Sequence, residues 1–189
     1  GIDRMETGQA YRACEESGQG HQRGRPVVVA RLRVEQQRRP GTAAVTQALA
    51  ASFGNRLVTS LAVRQQHGHT LTWIPNQPPD AVVFPQSTAD VQQTVRICAK
   101  PGVPIIPFAT GTSLEGHINA PQGGVSIDFR DMNRVLAVHA EDLDCVIEPG
   151  VTRKMLNDHL RDQGLFFPID PGADASHGGM AATRASGTN

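Results

Sequence analysis

Short apolar runs alternate with polar stretches from residue 81 onwards. Residues 81–84 are apolar and are followed by a proline, which is typical of a buried strand. The next stretch has Val91, Val95 and Cys98 at helical spacing, and residues 103–108 form a second apolar run. Strand, helix and strand in so short a stretch predict a βαβ unit, whose strands are parallel.

The pattern after this unit predicts three more strands and a capped helix. The strands are expected at residues 125–129, 135–138 and 145–148. Thr152 is placed to cap a helix over residues 153–163, because its hydroxyl can accept a free N–H group of the first turn. The alternation of strands and helices therefore favours a mixed fold with α/β units.

Composition divides the chain into three parts. Residues 1–41 are polar and rich in arginine, and we expect a poorly ordered leader there. Residues 42–80 are predicted to hold one helix over 42–63, weakened at Gly54, and then a proline-containing connector. Residues 81–189 contain the predicted strands and both loops that are candidates for chemistry.

Composition and charge exclude several classes of function. The 189 residues carry 18 basic and 18 acidic side chains and only 4% aromatics, which argues against a nucleic-acid-binding protein. No apolar run approaches the roughly 20 residues of a membrane-spanning helix, so no transmembrane segment is expected. Cys14, Cys98 and Cys145 are odd in number and far apart, which predicts neither a disulfide framework nor a metal site.

The loop at residues 109–116 is the first candidate for chemistry. Gly111 and Gly116 permit backbone conformations that other residues avoid. Successive N–H groups in such a turn bind anions, and this arrangement suits a pyrophosphate. Neither the P-loop sequence nor the G-x-G-x-x-G fingerprint is present, so an ordinary glycine-rich hairpin remains the alternative. Glu115 is expected to support the loop by accepting backbone N–H groups.

A second run of small residues occupies residues 171–189. Its glycines and alanines allow the backbone to lie against a flat or extended ligand, and its hydroxyl groups can donate hydrogen bonds. Asp174 is expected to accept backbone N–H groups in this loop. Both loops are predicted to follow parallel strands, where α/β folds tend to hold ligands, and a generic loop is again the alternative.

These loops and the segment between them resemble one family of flavoproteins. The matching runs are PIIPFATGTSLEG at residues 104–116, EPGVT at 148–152, PGADAS at 171–176 and GGMAATRASGTN at 178–189. They are similar to the FAD-linked, cytochrome-dependent D-lactate dehydrogenases and to the glycolate oxidase flavoprotein subunits, which are of the vanillyl-alcohol-oxidase (PCMH) type. The resemblance extends from about residue 81 to the end of the chain.

The resemblance implies an α+β fold, namely an FAD-binding domain of two α/β subdomains, truncated at its C-terminus and preceded by a partly disordered extension. By this likeness the loop at 109–116 holds the FAD pyrophosphate, while residues 148–150 and 171–188 line the path of the adenine, ribose and isoalloxazine. The implied cofactor-binding residues are Phe108, Ala109, Thr110, Gly111, Thr112, Ser113, Leu114, Gly116, Glu148, Pro149, Gly150, Pro171, Asp174, Ala175, Ser176, Gly178, Gly179, Met180, Ala182, Thr183, Ser186, Gly187 and Thr188.

The resemblance also implies an activity. Such an enzyme oxidises D-lactate to pyruvate, passes a hydride to FAD and sends the electrons to a cytochrome or a quinone. The family's catalytic residues are expected beyond residue 189, so none is assigned, and this chain alone is expected to be inactive. A glycolate oxidase subunit, a nicotinamide-dependent reductase of the same fold and a module that binds no flavin are the alternatives. The expected location is the cytoplasm, either free or at a membrane face, and a mitochondrial location is the alternative.

Four residues stand apart from the family pattern or from its assigned roles. Ala109 stands where the family usually has glycine, and a positive φ there would cost an alanine about 1 kcal/mol or more. His177 stands where an apolar residue is usual, and it is a candidate neighbour of the flavin. His67 and His69 are predicted to lie in a loop, where covalent attachment of the flavin to one of them is an alternative.

Overall fold

The computed structural model describes residues 38–186. Most of the expected leader, Cys14, and the predicted cofactor residues Gly187 and Thr188 lie outside the described residues. The described helices are α1 (Thr42–Phe53), α2 (Leu61–His67), α3 (Thr88–Ala99), α4 (Arg153–Leu160) and α5 (His177–Thr183). The strands are β1 (Leu57–Val58), β2 (Ala81–Val83), β3 (Ile105–Phe108), β4 (Val125–Asp128), β5 (Val135–His139) and β6 (Asp144–Ile147). None of these described helices is both long enough and apolar enough to cross a bilayer.

The main sheet has the order β1-β2-β4-β3. Both β2 and β3 pair with β4 in parallel, and β1 pairs antiparallel with β2. The parallel strands predicted for the βαβ unit are confirmed, although β4 lies between them. Every residue of β2 and β4 is buried, which is typical of parallel strands that are covered on both faces.

The core of this sheet is shared by α1 and α3. Val45 and Leu49 of α1 pack with Cys98 of α3 and Val125 of β4, and all four are buried. Burial raises the pKa of the Cys98 thiol to about 11, so this cysteine stays protonated at neutral pH and acts as a small apolar side chain. The first helix therefore belongs to the same core as the parallel strands.

The interpretation that Val91, Val95 and Cys98 line one helix face does not identify the buried face of α3, because Val95 is 41% exposed. Thr94 takes its place and is fully buried, three residues after Val91 and four before Cys98. The Thr94 hydroxyl donates to the carbonyl oxygen of Asp90 at 3.0 Å, which satisfies it inside the protein. A polar residue, Thr94, thus lies on the buried face of α3, and for this reason the spacing of apolar residues alone does not identify that face.

The single helix predicted over residues 42–63 is also wrong. α1 ends at Phe53, and Gly54 then takes a φ of +55°, which an α-helix cannot continue through. The chain next forms β1 beside β2, and α2 begins only at Leu61. The weak point at Gly54 is therefore a true end of the helix.

The second sheet is an antiparallel hairpin of β5 and β6. It packs against Leu156 and Leu160 of α4. Thr152 caps α4 as predicted, since its hydroxyl oxygen accepts the N–H group of Met155 at 3.2 Å. Because this hairpin and α4 precede residue 171, the second candidate loop does not follow a parallel strand, and that part of the prediction is wrong.

Candidate ligand-binding site

A cavity of about 460 Å³ opens between the loop after β3 and the segment that contains α5. Volumes in this range are typical of sites for small molecules and cofactors. It is lined by Pro107, Phe108, Ala109, Thr110, Gly111, Thr112, Ser113, His117, Ile118, Phe129, Pro149, Pro171, Ala173, Ala175, Ser176, Gly178, Gly179, Met180, Ala182, Thr183 and Ala185. The fold therefore brings the two candidate loops to one place.

The loop after β3, residues 109–116, contains a run of backbone donors, at residues 110–114, that have no acceptor among the described residues; we call residues 109–116 the first loop. Gly111 and Gly116 take φ angles of +66° and +76°, in the left-handed region that favours glycine. No described residue accepts a hydrogen bond from the backbone N–H groups of residues 110–114. Consecutive N–H groups of this kind bind anions, so the first loop has donors available for a phosphate.

The side chains of the first loop contribute less than expected. The Glu115 carboxylate accepts no hydrogen bond from any described residue, so its supporting role is wrong. Instead the Glu115 N–H group lies 3.4 Å from the hydroxyl oxygen of Ser113. Ala109 is not among the described residues with a positive φ, so the backbone strain considered for an alanine there does not arise.

The second candidate loop is not a plain loop, because residues 177–183 form α5; we call residues 171–185 the α5 segment. Ser176 caps this helix by accepting the N–H group of Gly179 at 3.2 Å. The N–H group of Gly178 donates to the carbonyl oxygen of Pro149 at 2.9 Å. A Cβ on Gly178 would lie 2.7 Å from the Cβ of Pro149, so the close approach requires glycine.

Most residues expected at the cofactor line this cavity. They are Phe108, Ala109, Thr110, Gly111, Thr112, Ser113, Pro149, Pro171, Ala175, Ser176, Gly178, Gly179, Met180, Ala182 and Thr183. The other described residues of the predicted set, which do not line it, are Leu114, Gly116, Glu148, Gly150, Asp174 and Ser186.

Three of the residues outside the lining make structural contacts. The Glu148 carboxylate accepts the backbone N–H of Arg134 at 2.8 Å and its guanidinium at 2.7 Å, and these hydrogen bonds lower the pKa of Glu148. Asp174 accepts the backbone N–H of Lys154 at 2.9 Å, so it accepts a backbone donor as expected, although the donor belongs to α4. A Cβ on Gly150 would overlap the carbonyl oxygen of Phe129.

Sequence reasoning missed four lining residues, Pro107, His117, Ile118 and Phe129, and it included Ala173 and Ala185 only as part of the segment 171–188. Phe129 follows β4 directly, just as the first loop follows β3. The carboxyl ends of neighbouring parallel strands meet at one edge of a sheet, so the strand order would have found Phe129. His117 is marked in the sequence only by its residue type.

The lining contains no described lysine, arginine, aspartate or glutamate. His117 is its one titratable side chain among the described residues. An anion in this cavity would therefore be met mainly by backbone N–H groups and hydroxyl groups, with no acidic side chain in the lining to repel it.

A buried ion cluster lies behind the cavity, against Phe108. His67 and Asp128 are fully buried, with His67 Nε2 2.8 Å from Asp128 Oδ2, and the Arg130 guanidinium also contacts this carboxylate at 2.6 Å. The rings of His67 and Phe108 pack with their centroids 4.3 Å apart. His67 lies at the end of α2 and not in a loop, and its burial leaves it no route to a flavin in the cavity.

Neither of the other two histidines considered for the flavin lines the cavity. His177 Nδ1 donates to the carbonyl oxygen of Val151 at 2.9 Å, and the ring packs edge-on against Phe167 at 4.6 Å between centroids. His69 is exposed, and its Nδ1 lies 3.0 Å from the side-chain nitrogen of Asn76.

Comparison with known proteins gives one family. A family model described as an FAD binding domain matches residues 79–189. A Danio rerio protein named probable mitochondrial D-lactate dehydrogenase is 57% identical over 128 residues, which is 68% of this chain and 26% of that protein. The mitochondrial D-lactate dehydrogenase (cytochrome) of Arabidopsis thaliana is 52% identical over 110 residues, which is 58% of this chain and 19% of that protein. The chain thus spans about a quarter or less of the length of these relatives.

Solved structures share the fold. Alkyldihydroxyacetonephosphate synthase superposes with a TM-score of 0.69 at 28% identity, over 77% of this chain and 30% of that one. p-Cresol methylhydroxylase superposes with a TM-score of 0.66 at 23% identity, also over 77% of this chain and 30% of that one. The expected α+β fold of the vanillyl-alcohol-oxidase (PCMH) type is confirmed.

Proposed function

The chain belongs to the family of FAD-binding domains, which confirms the expected cofactor, and we propose that it holds FAD in the cavity between the first loop and the α5 segment. One observation carries this proposal. The backbone N–H groups of residues 110–114 have no acceptor among the described residues, and residues 110–113 line the cavity.

The two sides of the cavity fit two parts of FAD. Its diphosphate suits the unpaired N–H groups of the first loop, because the lining holds no described acidic side chain. Its flat ring system suits the α5 segment, where Ala175, Gly178 and Ala182 present little more than backbone. We therefore assign the phosphates to the first loop and the flat rings to the α5 segment.

We further propose that the chain is the cofactor-binding part of a flavin-dependent 2-hydroxy-acid dehydrogenase. In such an enzyme FAD supplies the hydride acceptor for oxidation of the hydroxyl-bearing carbon. The residues of this chain bind the phosphates, align the rings and shield one side of the cofactor from water. No described residue is assigned as the base that takes the substrate's proton.

The substrate, acceptor and location are proposed from the names of the relatives. Both are named as D-lactate dehydrogenases and as mitochondrial, which favours D-lactate over glycolate and a mitochondrial location over the cytoplasm. The Arabidopsis thaliana relative is named for cytochrome, which favours a cytochrome over a quinone as the acceptor.

We also propose a division of the chain into three parts: a leader at 1–41, a helix and connector at 42–80, and an FAD-binding domain from 81. The family match, which starts at residue 79, supports the last boundary.

Cofactor binding is tested by titrating the purified chain with FAD and with riboflavin, while flavin fluorescence is followed. Riboflavin has the flat ring but no phosphate, so it is the matched ligand. We expect FAD to bind about a hundredfold more tightly, since two charge-assisted hydrogen bonds to a phosphate contribute about 3 kcal/mol or more. A colourless protein that takes up no added FAD would refute the proposal.

The substrate is tested by dye reduction with the longest polypeptide that carries this sequence. D-lactate, glycolate and NADPH are offered separately. Faster reduction with glycolate would reassign the substrate, and reduction with NADPH alone would indicate a reductase of the same fold.

A further inference from the structure

His67 is hydrogen-bonded as a cation inside the protein. Its Nδ1 lies 2.7 Å from the carbonyl oxygen of Val63, and its Nε2 lies 2.8 Å from Oδ2 of Asp128. A carbonyl oxygen and a carboxylate oxygen only accept hydrogen bonds, so both ring nitrogens donate. The ring therefore carries two protons and a positive charge.

Asp128 is held as a carboxylate by donors. The backbone N–H of Arg130 donates to Oδ1 at 2.9 Å, and Arg130 Nε donates to Oδ2 at 2.8 Å. Burial alone would raise the pKa of Asp128, but the hydrogen bonds from His67 and Arg130 outweigh burial and lower this pKa below its ordinary value. One carboxylate between two cations leaves a net positive charge behind the cavity.

Phe108 connects this cluster to the first loop. Its ring packs against the His67 ring, and a Cβ on Gly111 would lie only 2.9 Å from Phe108 Cζ. Phe108 thus fills the space between the His67 ring and the Gly111 backbone, and it also lines the cavity. A displacement of the His67 ring would reach Gly111 through this one aromatic ring.

The other supports of the first loop lie mainly at its C-terminal end, where the Gly116 carbonyl oxygen accepts the N–H group of Asn119 at 3.0 Å and Gly116 packs closely against Ile74. The hydroxyl oxygens of Thr110 and Thr112 are 3.4 Å apart, and the N–H of Glu115 lies 3.4 Å from the hydroxyl of Ser113. Both distances are long for hydrogen bonds of their kind. Around Gly111, where the backbone N–H groups have no acceptor among the described residues, the position of the loop depends on packing, and the packing partner there is Phe108.

We propose that His67 is a positioning residue for the cofactor's diphosphate. As an imidazolium fixed by Val63 and Asp128, it holds Phe108 against Gly111, which keeps the N–H groups of the first loop directed at the cavity. This inference rests on the proposed function of the cavity and adds a role for a buried ion pair outside its lining.

The test compares H67Q with H69Q, the same change two residues away in an exposed histidine. In H67Q we expect the Kd for FAD to rise about tenfold, which corresponds to the net loss of roughly one hydrogen bond between the first loop and the phosphates. The Kd for riboflavin should stay within about twofold. H69Q leaves both constants unchanged. In the absence of flavin, the amide NMR resonance of Gly111 shifts in H67Q, whereas those of α4 do not.

Two results of this comparison of variants would overturn the role of His67. One is a folded H67Q that binds FAD like the unaltered chain and leaves the Gly111 resonance in place. The other is an equal loss of affinity for FAD and riboflavin, which would indicate a general structural defect. An unaltered chain that binds no flavin would instead refute the proposed function, and the Gly111 resonance would still test the contact with His67.

Two further measurements do not require a variant at the buried position. In the unaltered chain, ¹⁵N NMR is expected to show both His67 ring nitrogens as hydrogen-bond donors, in keeping with their contacts to Val63 and Asp128, and a neutral tautomer would overturn the proposal. R130Q removes a donor to Asp128 at a side chain that is 49% exposed. We expect it to raise the Kd for FAD about threefold with little change for riboflavin, in keeping with a partial loss of a charged hydrogen bond.

Discussion

The first loop and the α5 segment are similar in composition, yet different interactions hold them. Residues 110–114 of the first loop donate no backbone hydrogen bond to a described residue. In the α5 segment, by contrast, the N–H groups of Ala175, His177, Gly178 and Met180 all donate to carbonyl oxygens within the chain. Glycine thus leaves backbone N–H groups available for a ligand in the first loop, whereas it allows close packing in the α5 segment. The two regions can be distinguished only by finding the acceptor of each backbone N–H group.

The largest expected effect on stability comes from adding a methyl group at a glycine of the α5 segment. In Gly178→Ala the new Cβ would meet Pro149, whose Cβ and carbonyl oxygen would be 2.7 and 2.9 Å away. Backbone cannot move aside as a flexible side chain does, so we expect a loss of about 2–3 kcal/mol in the free energy of unfolding. Urea unfolding measures it.

The adjacent Gly179→Ala is the matched control. The nearest atom to its new Cβ is the Ser176 hydroxyl oxygen at 3.0 Å, which belongs to a side chain. We expect a change within about 1 kcal/mol, because alanine also favours the helix. Equal losses for the two variants would show that contact with Pro149 does not hold the α5 segment.

The next largest effect is expected in the first loop, where a substitution should change the affinity for FAD separately from the stability of the fold. Gly111→Ala and Gly164→Ala both place alanine at a positive φ, +66° and +69°, and each is expected to cost about 1 kcal/mol of stability. Nothing lies within 4 Å of a Cβ on Gly164, whereas one on Gly111 would press on Phe108. We expect only Gly111→Ala to weaken FAD, by about tenfold in Kd. A similar loss of affinity in both variants would mean that strain alone, and not the first loop, controls binding.

The parallel unit of the fold was predictable because its apolar runs are short, continuous and bounded by proline and glycine. The errors in the predicted helices arose where a residue type is compatible with two different environments or two kinds of secondary structure. Thr94 is polar but buried, since its hydroxyl bonds to a carbonyl of the preceding turn. Leu57 has helical spacing relative to α1, but it lies in a strand after Gly54 has ended the helix.

The two candidate loops were predictable from glycines and hydroxyl residues, but their supports were not. Glu148 is paired with Arg134, and this contact depends on the hairpin of β5 and β6. His67 and Asp128 are 61 residues apart in the chain and meet only because α2 lies near the end of β4. Such contacts follow from tertiary packing, and no local spacing indicates them.

A smaller effect, and a stabilising one, is expected at the end of the α5 segment. Arg184 takes a φ of +53° directly after α5, a position that glycine usually occupies. Arg184→Gly removes strain worth about 1 kcal/mol, which corresponds to a rise of roughly 2–4 °C in Tm for a chain of this size. Calorimetry measures it. The Kd for FAD should stay unchanged, and an unchanged or lower Tm would show that the arginine is not strained there.

The smallest effect is a response to acid that distinguishes the first loop from the α5 segment. Burial opposes ionisation of Asp128, but hydrogen bonds from His67 and Arg130 prevail and lower its pKa from the ordinary value of 3.8. The stability that Asp128 contributes is therefore complete above pH 3.8 and is lost as the pH falls from there through the lower pKa of the folded state. The variant D128N removes this contribution, while other carboxylates with lowered pKa values, such as Glu148, contribute equally in both proteins.

Urea unfolding from about pH 6 to about pH 3 should therefore show a steeper loss in the free energy of unfolding for the unaltered chain than for D128N. In the same acid range the amide resonance of Gly111 should change before that of Gly178. Parallel stability curves for the two proteins would mean that the first loop does not depend on this buried ion pair.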